Sequence, residues 1–190
     1  MDAALDAVIG KVRQAAERAR PLRIRGGGSK DFYGQRLHGE LLDVRPIAGV
    51  VAYEPTELVV TVRAGTRLRE LQALLAERGQ CLPFEPPQFG VGSTIGGAVA
   101  AGLSGPARAS VGSLRDYVLG VQIVNGKGEL LTFGGQVMKN VAGYDVSRVL
   151  AGSLGVFGAI CEVSLKVLPR PAAVATLRFE MDQARAIRQL

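Results

Sequence analysis

Apolar positions recur at helical spacing over the first twenty residues, then give way to alternation, so the chain opens as a helix followed by strands. The spacing predicts a helix over 8–19, ended by Pro21, and a strand at Leu22-Arg23-Ile24-Arg25 that runs straight into Gly26-Gly27-Gly28-Ser29-Lys30. Further strands are predicted over 41–44, 49–53 and 58–62, the last two joined by the turn Glu54-Pro55-Thr56-Glu57. Thr66 stands where a helix through Arg78 needs its cap; Leu68, Leu71, Leu74 and Leu75 form the apolar stripe, and Gly79 is the stop. A short strand is expected over 81–83. Between Pro86 and Gly112 the chain is dense in Gly, Ser and Pro, and only 95–101 has a helical pattern. Strands over 117–124 and 129–133 flank Asn125-Gly126-Lys127-Gly128, and Asn-Gly between apolar runs is a strong hairpin signal. A helix over 146–150 and a strand over 160–167 follow. Cys161, Val163, Leu165 and Val167 share one face of that strand, and Pro169 and Pro171 end it.

Helices mixed with antiparallel strands make the fold class α+β. The pattern divides into two subdomains, 1–80 and 81–171. The remainder, 172–190, reads as a strand over 175–179 and the first turns of a helix. Ending there without a cap, it is expected to be the start of a further domain.

Composition narrows the function more by exclusion than by assertion. Of 190 residues, 47% are hydrophobic, which is enough for a core and excludes intrinsic disorder. The net charge is +6, yet Lys and Arg are scattered with few aromatics beside them, so nucleic acid is not the expected partner. Asp2, Asp6 and Glu17 interrupt the opening helix, which is unlike a signal peptide, and no apolar run reaches membrane-spanning length. Cys81 and Cys161 stand far apart without metal-ligand spacing, which points to a reducing cytoplasm. His38 is the only histidine and falls in a polar turn, where a surface role is expected. No Ser/His or Cys/His nucleophile system and no metal site is therefore predicted, and no catalytic side chain is singled out. Such a chain suits chemistry carried by a cofactor.

Glycine supplies the positive signal. There are 25, clustered at 26–28, 90–105, 134–135 and 152–158. Two familiar motifs fail: Asp31 stands where a Rossmann fingerprint needs its third glycine, and 120–127 is one residue too long for a P-loop. Gly26-Gly27-Gly28 still suits an anion cradle, in which N–H groups converge with no Cβ in the way. Ser29 would add a hydroxyl donor there and Lys30 a charge; an ordinary tight turn is the alternative. Gly92-Ser93-Thr94-Ile95-Gly96-Gly97 places glycines inside a helix start. Free N–H groups for a pyrophosphate would explain them, and so would close helix packing. Gly112-Ser113-Leu114-Arg115-Asp116 and the 152–158 run each precede a strand. Four glycine loops, each abutting a strand, point to one extended ligand between two lobes.

Taken in order, Arg25-Gly26-Gly27-Gly28-Ser29-Lys30-Asp31-Phe32-Tyr33-Gly34, Pro86-Pro87, Ser93-Thr94-Ile95-Gly96-Gly97, Gly112 to Asp116, Lys139-Asn140-Val141-Ala142-Gly143-Tyr144-Asp145 and the 152–158 run resemble the FAD-binding domain of the vanillyl-alcohol oxidase/PCMH flavoprotein family. The resemblance covers about residues 5–175. It implies two α+β subdomains with FAD between them and a cap domain beyond. The cofactor-binding residues it implies are Arg25, Gly26, Gly27, Gly28, Ser29, Lys30, Pro87, Gly92, Ser93, Thr94, Gly96, Gly97, Gly112, Arg115, Asp116, Gly155 and Ile160. Many relatives carry a flavin-linking histidine after the triple glycine, where Ser29 and Lys30 stand here, so non-covalent FAD is expected. The resemblance further implies oxidation of a small 2-hydroxy acid such as glycolate to the 2-oxo acid. The expected partners are a second flavoprotein subunit and an iron–sulfur subunit, in a cytoplasmic complex peripheral to the inner membrane. A non-catalytic electron-transfer or assembly subunit, or an oxidase of another hydroxy acid such as D-lactate, stays open.

Overall fold

The most buried strands of the main sheet, β4 (Val59–Arg63) and β8 (Ala159–Lys166), lie side by side near its middle. The computed structural model describes residues 3–135 and 144–189. The sheet has five strands, and every pairing in it is antiparallel: β3 (Val50–Glu54), β4, β8, β6 (Val118–Val124) and β7 (Leu130–Gly134). Val60, Val62, Val121, Val163 and Leu165 point from one face into the main core. There they meet α2 (Leu68–Glu77), α3 (Ile95–Ala101) and α5 (Val146–Leu150). The other face carries polar cross-strand pairs: the hydroxyls of Thr61 and Ser164 lie 2.8 Å apart, and Arg63 Nε is 3.5 Å from Glu162.

A second, smaller core forms where α1 (Ala3–Glu17) crosses the end of the sheet. Leu5, Val8 and Val12 pack there against Leu42, Val44 and Ile47, and against Val124, Ala159 and Cys161. The register of β6 against β8 shifts between Gln122 and Ile123; Ile160 then belongs to the main core and Cys161 to the small one. β1 (Leu22–Arg25) and β2 (Glu40–Asp43) run parallel beside α1, so residues 26–39 must cross from one end of the pair to the other. That crossing carries the triple glycine.

Most predicted elements are present, and the exceptions have local causes. α1 begins five residues earlier than the pattern suggested, because Leu5 already joins the core. Thr66 does not cap α2; its hydroxyl accepts from Gly49 N–H at 2.9 Å and donates to Gly49 C=O at 3.1 Å, tying β3 to the loop after β4. Arg67 stands at the cap without a side-chain bond. The strand expected over 81–83 is β5 (Gln80–Cys81), paired with β9 (Leu168–Pro169). The 86–112 stretch holds a second helical turn besides α3, α4 (Arg108–Val111), too short to leave a periodic signal. Residues 175–179 are not a strand: Leu177 and Phe179 are exposed with no partner to pair against among the described residues, and α6 (Gln183–Gln189) follows. β3 and β4, expected in the first subdomain, pair into the same sheet as β6 and β8 from the second. The matched run from Lys139 to Gly143 lies outside the described residues. Among the described residues no helix is long and apolar enough to cross a membrane.

Candidate functional site

The chain leaves β1 at Arg25 and turns at once. Gly28 has φ +70°, a conformation glycine adopts freely, and Asp31 N–H closes the turn on Gly28 C=O at 3.2 Å. The Arg25 guanidinium folds back against Gly28 and bonds Asp31, Nε to Oδ2 at 2.8 Å, bracing the loop from end to end. Within this brace the backbone N–H groups of Gly26, Gly27, Gly28, Ser29 and Lys30 donate to no acceptor among the described residues. Unpaired amides in succession form an anion-binding concavity.

The loop is pressed against the turn before α3. A Cβ on Gly26 would lie 2.5 Å from Thr94 Oγ1, and one on Gly27 only 1.6 Å from the Gly92 carbonyl oxygen. Ser93 Oγ donates to Gly90 C=O at 2.9 Å, so in its 2.9 Å contact with Ser29 Oγ the proton comes from Ser29. The Ser29 proton is therefore directed to Ser93, which ties the triple-glycine loop to the turn before α3. Lys30 keeps its ammonium 5.8 Å from the centre of the Phe89 ring, and burial pushes its pKa below the usual lysine value.

The second wall is α3. Its first four N–H groups are all taken: Ile95 by Thr66 C=O, Gly96 by Ala64 C=O, Gly97 by Thr94 Oγ1 and Ala98 by Thr94 C=O. The helix start offers no amide to a pyrophosphate. Gly96 is explained by packing instead, since a Cβ there would sit 2.6 Å from Ala64 Cβ. Gly97 is different. Its added Cβ would meet only Thr94 Oγ1, at 3.2 Å, and with Ala100 and Ala101 it presents a smooth face to the cleft.

The third wall is the 152–158 run, bolted to α3 by Gly152 N–H to Val99 C=O and Leu154 N–H to Ala100 C=O, both 2.9 Å. Leu154, Gly155, Val156 and Gly158 line the cleft, with Ile160 behind them. Its volume is about 560 Å³, within the ~300–1,000 Å³ usual for cofactor sites. Its lining combines the polar loop from Arg25 to Asp31 with the apolar side chains of Ile24, Leu37, Val44, Val156 and Ile160.

Of the expected binding residues, Arg25, Gly26, Gly27, Gly28, Ser29, Lys30, Thr94, Gly96, Gly97, Gly155 and Ile160 meet in this one cleft. Gly92 and Ser93 do not line it; they back the triple-glycine loop. Pro87 lies outside it as well. Gly112, Arg115 and Asp116 also stand apart. Asp116 accepts from Ser113 N–H and Oγ, both at 2.8 Å, and these bonds hold its carboxyl below the usual range. The cleft also uses residues that the sequence did not flag: Asp31, Tyr33, Leu37, Ala100, Leu154 and Val156. The i, i+3, i+4 spacing of Gly97, Ala100 and Ala101 was a readable signal for a small-residue face; the loop residues left none. His38 is exposed, and Cys161 is buried, its thiol pushed up to about 11 by desolvation, so it serves the core.

A family model described as an FAD binding domain matches residues 4–134. The chain is 50% identical over 184 residues to glycolate oxidase subunit GlcE of Escherichia coli, a match covering 97% of this chain and 53% of that protein. It is 31% identical over 128 residues to glycolate oxidase subunit GlcD of Bacillus subtilis, covering 67% of this chain and 27% of that one. It is also 31% identical over 158 residues to the mitochondrial D-lactate dehydrogenase [cytochrome] of Arabidopsis thaliana, covering 80% and 27% respectively. The chain thus spans about half the length of the first of these relatives and about a quarter of the other two.

Proposed function

Because the chain belongs to the FAD binding domain family, we propose that it holds FAD non-covalently in the cleft between α3, the triple-glycine loop and the 152–158 run. The observation that carries this is the row of unpartnered amides from Gly26 to Lys30, shaped by the Arg25–Asp31 brace and open to a cavity of dinucleotide size. The pyrophosphate belongs on those amides and the Lys30 ammonium, since both supply positive charge without a competing acceptor. Asp31 is neutralised by Arg25 at 2.8 Å and so does not repel it. The ring systems of the ligand fit against the apolar side chains that line the cleft. No histidine or cysteine lines the cleft among the described residues, which supports a non-covalent attachment.

When bound, FAD supplies hydride acceptance from a carbon bearing a hydroxyl group, and the protein supplies position and electrostatics. The similarity to the two glycolate oxidase subunits and to a D-lactate dehydrogenase supports a small 2-hydroxy acid as the substrate, glycolate first and D-lactate second, oxidised to the 2-oxo acid. Arg25, Lys30, Asp31 and Tyr33 are the titratable side chains of the cleft among the described residues, and of these Arg25 and Asp31 are already paired with each other. That favours a subunit which carries flavin within a larger assembly, with a second flavoprotein and an iron–sulfur subunit as partners.

The test is the visible spectrum of the purified protein, followed by acid precipitation and chromatography of the supernatant. The expected result is a yellow protein that releases FAD on precipitation. Pigment retained in the pellet contradicts non-covalent binding, and a colourless protein that takes up no added FAD overturns the proposal.

Lys30 adds a pH signature. Burial lowers its pKa in the free protein, and a bound phosphate, by favouring the ammonium form, raises it again. Binding therefore takes up a proton between the two values. Affinity stays constant below the free-state pKa, then falls as pH rises towards the value in the complex. ADP-ribose, whose diphosphate does not titrate in that range, is the probe to use. Lys30→Met is expected to weaken its binding roughly tenfold at neutral pH, the order of one charge-assisted hydrogen bond, and to flatten the alkaline fall. A fall that persists in Lys30→Met assigns it to another group.

A further inference from the structure

We propose that Leu154 is a positioning residue for the bound dinucleotide, its side chain lying on the planar aromatic ring at one end of the ligand. This rests on the proposed function. Four non-glycine residues among those described have left-handed backbones: Ala19, Leu58, Glu85 and Leu154. For three of them the structure offers an account. Ala19 follows the end of α1 and carries the smallest side chain; Leu58 packs against the main core; the Glu85 carboxylate accepts from Ala107 N–H at 2.9 Å. Leu154, at φ +52°, has no such account. Its branched side chain is disfavoured in that conformation, and it is 53% exposed, so no core contact offsets the strain. Glycine would satisfy the backbone with less strain, and glycine does occupy the next position, 155.

What the side chain does reach is the cleft. Leu154 is held by its N–H bond to Ala100 C=O, and its Cδ1 comes within 3.7 Å of where a Cβ on Gly34 would lie. It therefore lines the same cleft as Leu37 and Val156, opposite Gly34 of the loop that follows the anion-binding amides. A flat heterocycle whose phosphates sit on those amides brings its ring beneath Leu154, and burying the leucine against that ring supplies the contact the free protein lacks. Strain retained beside a ligand cleft is the pattern expected when a residue is kept for binding rather than for folding.

The two roles predict opposite signs. Leu154→Gly and Leu154→Asn both suit a left-handed backbone, so each apoprotein is expected to melt about 2–4 °C higher. Each is expected to bind FAD roughly tenfold more weakly, measured by quenching of flavin fluorescence in the full chain, because the apolar contact is gone. ADP-ribose and FMN, titrated separately, identify the ring beneath Leu154 by which of the two loses affinity. Unchanged affinity in both variants for FAD, ADP-ribose and FMN overturns the proposal, and so does weaker binding accompanied by a lower melting temperature, which marks a folding role. A wild-type chain that takes up no FAD overturns the functional reading, and this one with it; wild-type binding with unaffected variants removes only the role of Leu154.

Discussion

Gly97→Leu is expected to give a protein that folds at least as stably as the natural one and no longer retains FAD. Position 97 lies inside α3, where exchanging glycine for a good helix former contributes about 1 kcal/mol to stability. The added Cβ meets only Thr94 Oγ1, at 3.2 Å, so the core is not strained beyond what a small hydroxyl movement relieves. The rest of the leucine side chain enters the cleft from its smoothest wall, where Gly97, Ala100 and Ala101 leave room for a ligand. Overpacking a close contact costs about 1–3 kcal/mol, so a loss of FAD affinity approaching a hundredfold is expected. Thermal melting of the apoprotein and titration with FAD check the two halves separately. Natural affinity in Gly97→Leu means that FAD lies elsewhere. The neighbouring substitution Gly96→Ala serves as the contrast. Its Cβ falls 2.6 Å from Ala64 Cβ and 2.9 Å from Ala64 C=O, so it is expected to lower stability first.

That contrast between adjacent glycines also marks how far the sequence could be read. The strand-to-glycine junction at Arg25–Gly26, the α3 span and the Asn125-Gly126 hairpin follow from local rules, and all are present. The glycines of α3 looked like a second phosphate site because a helix start normally has free amides. Here the first two amides are answered by carbonyls of Thr66 and Ala64, some thirty residues earlier in the chain, a pairing that exists only once β4 has delivered them. Gly112 to Asp116 stand apart from the cleft, and a local rule accounts for them. Ser113 and Asp116 form a local capping box, and the Ser-x-x-Asp spacing was open to that interpretation from the start. Leu154 and the Arg25–Asp31 brace could not have been found in the sequence. One depends on a backbone angle, and the other on a loop folding back upon the strand that leads into it.

Gly27→Ala should damage both stability and binding, which separates it from Gly97→Leu. A Cβ at position 27 would lie 1.6 Å from the Gly92 carbonyl oxygen, 2.4 Å from its carbon and 3.1 Å from Ser93 N. All three are backbone atoms, so no rotamer change makes room and the two loops must part. Parting them breaks the Ser29–Ser93 hydroxyl bond and moves Gly26 off Thr94, and with them goes the alignment of the amides from Gly26 to Lys30. A single methyl group is thus expected to cost about 1–3 kcal/mol of stability, lowering the melting temperature of the apoprotein by several degrees. It should also weaken FAD binding by about a hundredfold or more, because several charge-assisted bonds to the pyrophosphate are misaligned together. The amides read the phosphates and not the rings, so ADP-ribose must lose affinity in the same proportion as FAD. If Gly27→Ala weakens FAD but spares ADP-ribose, the loop holds the flavin end rather than the pyrophosphate; if it melts normally, the two loops do not approach as closely as the structure has them.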